Sequence, residues 1–259
     1  MDINNASAIY FSPTESTKKT TLQVLSAFDT PKDEIDLTSF KSKLNKTSFA
    51  YDEIVIFGAA VHGGRVPAPF LEKLEEISGR NTPAVLVVTY GNRDYEDILL
   101  EMKDFIEKRG FIVIGAAAII AQHSIIRSVA AERPDINDIV EINGFINKLL
   151  FKVNQFDDVI DMDVEVPGNF PYRIFSGVPL KPKANRMCDK CGKCVDLCPV
   201  NAINPQNPSK TDKKICISCM RCIKYCPNSA RKLNRFALGG IEKTFVVKYS
   251  NPKDPEFFL

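Results

Sequence analysis

Residues 6–28, ASAIYFSPTESTKKTTLQVLSAF, open on consecutive apolar residues, turn through Ser12, Thr14, Ser16 and Thr17 without a glycine, and resume with apolar residues at helical spacing. A short, doubly apolar run reads as a strand buried on both faces, and the segment after it as an amphipathic helix. The turn places hydroxyls and backbone N–H groups at a helix N-terminus, where the macrodipole favours an anion. A single phosphate is the size expected. The segment has neither the G-x-x-x-x-G-K-[ST] pattern of a triphosphate loop nor the G-x-G-x-x-G pattern of a dinucleotide site.

Working outward, the same alternation continues through the first 150 residues. Strands are expected at 6–12, 51–60, 83–91 and 111–120, with a weaker one at 33–39, and helices near 15–28, 68–77, 94–109 and 135–150. This predicts an α/β fold: a five-stranded parallel sheet of order 2-1-3-4-5, covered by helices on both sides. In such sheets ligands sit beyond the carboxyl ends of the strands. Three loops leave those ends: SPTEST, AAVHGGRVP (59–67) and TYGNRDYED.

Charge divides the chain. Residues 1–180 carry 18 Lys/Arg against 26 Asp/Glu, residues 181–235 carry 13 against 3, and the last 24 carry 3 of each. A flavourless net charge of +2 therefore conceals an acidic region and a basic one. All 8 cysteines fall between Cys188 and Cys226. Such concentration does not suit a secreted disulfide framework, and a reducing cytoplasm is the expected location. No stretch approaches the roughly eighteen apolar residues that cross a bilayer, so no membrane association is expected.

The domains expected are 1–153, the α/β unit; 154–180, an irregular proline-bearing connector; 181–235, the cysteine-rich unit; and 236–259, a tail with a strand at KTFVVKYS (243–250). Within the third unit, CDKCGKCVDLCPVNAI and CISCMRCIKYCPNSAR repeat at an offset of 28 residues, implying two similar halves. Each half reads C-x2-C-x2-C-x3-C-P. Three thiolates on a tight loop can grip three irons of one cubane, and the fourth cysteine then serves the other half's cluster. The metal ligands expected are Cys188, Cys191, Cys194 and Cys226 for one [4Fe–4S] centre, and Cys216, Cys219, Cys222 and Cys198 for the other. The alternative is a pair of zinc sites in an interaction module, but zinc has no need for a third evenly spaced cysteine or a trailing Cys-Pro. The basic charge would offset the negative charge of thiolate-bound clusters. A nucleic-acid surface is disfavoured because aromatic residues do not interleave the cations.

The cysteine-rich segment resembles bacterial-type two-cluster ferredoxins. The first loop resembles the flavodoxin phosphate loop, [ST]-x-T-G-[NQ]-T, with Ser12, Thr14 and Thr17 at its hydroxyl positions; Glu15 replaces the glycine and Ser16 the amide. GAAVHGGRVPAPF and TYGNRDYEDILLEM are similar to the flavin-contacting loops of flavodoxin–ferredoxin fusion proteins of anaerobes, which share this order of parts. That resemblance implies bound FMN. It places Ser12, Thr14, Ser16 and Thr17 on the phosphate, and Ala59, Ala60, Val61, His62, Gly63 and Gly64 along the flavin. It also assigns Thr89, Tyr90, Gly91 and Asn92 as contacts, with Tyr95 stacking on the ring.

A flavin takes one or two electrons and a cubane takes one. The expected function is electron transfer between the two clusters and FMN for an external redox partner, as a monomer or homodimer, with no acid–base catalyst. An alternative is a flavin-dependent reductase of a small acceptor or a nicotinamide.

Overall fold

Strands that are apolar on successive residues have two faces to cover, and the chain covers them in three layers. The computed structural model describes residues 1–155 and 158–259. Phe156 and Asp157, within the expected connector, lie outside the described residues. In chain order the first part contains β1 (Asn5–Phe11), α1 (Ser16–Ser26), β2 (Lys32–Asp36), β3 (Ser48–Phe49), β4 (Glu53–Ala60), α2 (Ala68–Lys73), β5 (Ser78–Gly79), β6 (Thr82–Tyr90), α3 (Ile98–Glu107), β7 (Phe111–Ile120) and α4 (Ile136–Gln155). The second part contains β8 (Lys183–Ala184), α5 (Lys193–Asp196), α6 (Arg221–Lys224), β9 (Arg231–Lys232), α7 (Arg235–Tyr249) and β10 (Glu256–Phe258).

Side chains of β1, β4 and β6 alternate between two cores. Ile9, Phe11, Val55, Phe57, Leu86 and Val88 join α2 and α3 on one face; Ala8, Tyr10, Ile54, Ile56, Val85 and Val87 join α1 and α4 on the other. Gly58 in β4 lets α1 approach the sheet: a Cβ there would stand 2.1 Å from Thr21 Oγ1.

The sheet has six strands, not the five expected. Its order is β2-β1-β4-β6-β7-β10, the first five parallel and β10 antiparallel to β7. β7 is buried along almost its whole length and would otherwise leave a row of unpaired backbone groups at an edge. Three residues, Glu256–Phe258, close it. The strand expected at 243–250 is helix instead. Asn234 caps α7 by accepting from the N–H groups of Phe236 and Ala237, and this cap overrides the strand propensity of Phe245, Val246 and Val247.

Beyond α4 the chain runs back across α3. Asp97 accepts from the N–H groups of Asn169 and Arg173 at 2.9 and 2.7 Å, and Tyr172 donates to Asp104. Among the described residues no helix is long and apolar enough to cross a membrane.

Candidate cluster centre and adjoining cavity

The two cysteine loops have the same backbone. α5 begins after Gly192 (φ 78°) and α6 after Met220 (φ 62°), 28 positions later. Lys190 and Ser218 share φ values of 61° and 60°, and Asn201 and Ser229 values of 53° and 47°. The N–H of Ala202 donates to Cys198 Sγ at 3.3 Å, and that of Ala230 to Cys226 Sγ at 3.2 Å. Non-glycine residues hold left-handed conformations at a cost of roughly 1 kcal/mol each, so a repeated set marks a shape imposed by what the loops enclose.

One cavity is lined by Cys198, Cys216, Cys219 and Cys222 together. These are the four cysteines that crossed ligation groups. Burial raises the Cys219 thiol, and the charges of Cys222, Cys198 and Cys216 raise it further. Burial also pushes the Cys222 thiol up to about 12, against the attraction of Arg231. Bound iron reverses this preference for the protonated form, because a cation takes the proton's place. Four thiols around one space are a donor set that suits an iron-sulfur cluster.

Of the other four ligands expected, Cys188, Cys194 and Cys226 are half-buried and Cys191 is exposed. Cys194 packs with Cys216 and Cys222 against Cys198, Ala202 and Ile203, so the two halves share one small core.

A second cavity opens at the carboxyl edge of the sheet. Thr14 and Ser16 reach it from the first loop, Ala60, Val61 and His62 from the second, and Thr89, Tyr90 and Gly91 from the third. The loop after β7 adds residues 121–124, and Cys219 closes the wall from the cysteine-rich unit. Two further cavities continue it. One holds Thr14, Ser16, Arg127 and Lys224; the other holds Gly63, Arg93, Phe175 and Phe245 and shares Val61, His62 and His123.

Not every residue expected at the flavin faces this space. Ser12 is buried, its Oγ accepting from the Lys18 N–H at 2.9 Å. Thr17 is buried behind the loop, its hydroxyl joined at 2.6 Å to that of Thr89, which does line the cavity. Ala59 lies in the core. Gly63 and Gly64 take φ values of 62° and 84°; a Cβ on Gly63 would strike the Phe175 ring, and one on Gly64 the Glu96 carboxylate. Asn92 lies outside this lining, where its Nδ2 donates to the carbonyls of Tyr249 and Asn251 at 2.7 and 2.8 Å. Tyr95 does too, its hydroxyl donating to Glu256 Oε2 at 2.8 Å and its ring meeting Tyr90 edge-on. Both residues anchor the C-terminal segment, because their amide and hydroxyl find backbone and carboxylate acceptors there that no loop supplies.

Burial holds the imidazoles of His62 and His123 down to about 4. His123 Nδ1 accepts from the N–H groups of Ile125 and Ile126, so the neutral ring carries its proton on Nε2. Tyr90 lines the cavity, and its buried hydroxyl has no partner among the described residues.

The opposite charges of the two units suggest that they attract one another, but the contacts between them are specific hydrogen bonds. Arg221 Nη1 donates to the Ser12 carbonyl at 3.0 Å, Lys224 Nζ to the Thr14 carbonyl at 2.6 Å, and the Tyr225 hydroxyl to the Glu15 carboxylate. Thus the second cysteine loop sits directly on the SPTEST turn. Glu15, where the resembling motif has glycine, takes φ 74°. The first loop docks on the segment after β2, through Lys41–Asp196 at 2.6 Å and the Phe40 N–H to the Cys198 carbonyl at 3.1 Å.

No curated protein matches the chain. A family model described as a 4Fe-4S dicluster domain matches residues 187–230. Together with the paired cysteine loops, this match supports a ferredoxin-like, electron-transferring iron-sulfur domain attached to a mixed α/β sheet.

Proposed function

We propose that the chain is an electron-transfer protein of the flavodoxin–ferredoxin kind, with two crossed-ligated [4Fe–4S] clusters and an FMN in the sheet-edge cavity, serving an external redox partner in the cytoplasm. The proposed domains are 1–153, 154–180, 181–235 and 236–259, the last returning to the sheet. One observation carries the reading: Cys219 lines both the four-thiol cavity and the cavity made by the three sheet-edge loops. Electrons passing between the two sites would cross little more than one side chain.

The residues present fit both groups. Cys198, Cys216, Cys219 and Cys222 would hold the nearer cluster, and Cys188, Cys191, Cys194 and Cys226 the farther one. Thr14 and Ser16 would face the phosphate, and Ala60, Val61, His62 and Tyr90 the flavin body. FMN when bound would exchange electrons singly or in pairs, so linking one- and two-electron partners. The N–H groups of Ala202 and Ala230 donate to the Cys198 and Cys226 sulfurs, which would tune the potential of clusters held there.

Anaerobic purification followed by iron, sulfide and flavin analysis tests this. Roughly eight iron and eight sulfide atoms per chain are expected, with one FMN; a colourless, iron-free protein would overturn it. Cys198→Ala should remove the nearer cluster and leave the farther one.

A second reading, a flavin-dependent reductase, draws support from the adjoining cavity of about 330 Å³ that shares Val61, His62 and His123 with the first. Steady turnover of the pure protein with NADH or NADPH as sole donor would favour it.

A further inference from the structure

Resting on the flavin reading, we propose that the phosphate seat is built by both domains: Lys224 of the cluster unit and Arg127 of the loop after β7 face the anion at the N-terminus of α1. The ferredoxin-like half would then be part of the flavin-binding site.

A cavity lies beside the sheet-edge cavity, lined by Thr14, Ser16, Gln122, Arg127, Ile223 and Lys224. Thr14, Ser16 and Gln122 line both, so the two form one trough. Its far end, past His62, is lined by Phe175, Leu180 and Phe245, with Arg93 and Arg173 beside them. A polar, cationic end and an end with aromatic walls suit a molecule with a phosphate at one end and a flat ring at the other.

α1 has no acidic residue in its first turn, and Ser12 Oγ takes only the Lys18 N–H there, so the positive pole of the helix is not neutralised. Arg127 and Lys224 line this one space, and two cations facing it repel one another unless an anion joins them. The Glu15 carboxylate beside them is engaged by the Tyr225 hydroxyl. The same bond accounts for Glu15 at a phosphate loop's glycine position: the carboxylate is turned onto the cluster unit, away from the ligand. Tyr90 supplies the independent sign of a ligand, since its hydroxyl is buried, unpartnered among the described residues, and set in the trough wall.

The seat also depends on the cluster loop. Arg221 opens α6 two residues after Cys219, its side chain holds the Ser12 carbonyl, and Lys224 follows one helical turn later.

The test measures binding of FMN and riboflavin, by quenching of flavin fluorescence, to the cluster-loaded, flavin-stripped chain. Wild type should favour FMN by about tenfold or more, as a charge-assisted phosphate contact implies. Lys224→Met, which keeps the aliphatic stem, should lose most of that preference with riboflavin affinity and cluster absorbance unchanged. Arg127→Gln, outside the cysteine loops, should lose part of it. Variants that keep the full FMN preference, or that weaken riboflavin equally, overturn the proposal. So does a wild type that binds both flavins equally, although the flavin reading then stands. A wild type that binds neither overturns both.

Discussion

Glu15 shows how one side chain serves two domains. Its positive φ is a conformation glycine adopts without cost, and its carboxylate takes the Tyr225 hydroxyl in exchange. Tyr225→Phe should destabilise the protein by about 1–2 kcal/mol, the net value of a hydrogen bond to a charged group, read as a lower urea midpoint at neutral pH. The histidines give a pH prediction. Free imidazole titrates near 6.5, while the buried His62 and His123 titrate at about 4. The unfolded chain therefore binds more protons between these values, so stability is complete above pH 6.5 and is lost as pH falls toward 4. The loss is at most about 3 kcal/mol per imidazole. Urea titrations across that window should show it, and His123→Gln should flatten it. Asn92 and Tyr95 mark the limit of reading residues in isolation: polar side chains in a sheet-edge loop look like ligand contacts, yet their partners lie some 160 positions away, where no local pattern points.

Among the elements, Gly58 shows how closely α1 packs on β4. Gly58→Ala would drive a Cβ into Thr21 Oγ1 and should cost about 1–3 kcal/mol, measured as a lower melting temperature with α1 as the first segment to exchange amide hydrogens. The parallel strands were legible because doubly buried strands are apolar on consecutive residues, as in FIVIGAAAII. The cysteine loops were legible because iron fixes spacing directly, and Asn201 and Ser229 repeat even its backbone consequences. α7 was not, since its Phe245-Val246-Val247 run favours strands and only Asn234 and the His123–Phe245 contact tip it to helix. β10 escaped notice because three residues carry no periodicity; its place is set by the open edge of β7.

For the molecule as a whole, the contrast between an acidic sheet domain and a basic cluster unit suggests that opposite charges hold the two together. The contacts are of another kind. Arg221 and Lys224 donate to neutral carbonyls, as does the Phe40 N–H, and the Lys41–Asp196 pair is largely exposed. Salt screens charge pairs but hardly affects hydrogen bonds to carbonyls. Raising ionic strength from about 0.05 to 0.5 M should therefore leave the radius of gyration from small-angle scattering unchanged, and expansion would show that charge does the holding.

The strand that completes the sheet lies beyond the cluster segment in the chain, and this orders events at the ribosome. The five parallel strands emerge first and wait with one flank bare until both cysteine loops have been synthesised. Chain order therefore makes all eight cysteines available for cluster assembly while the β7 flank is still open to its neighbours.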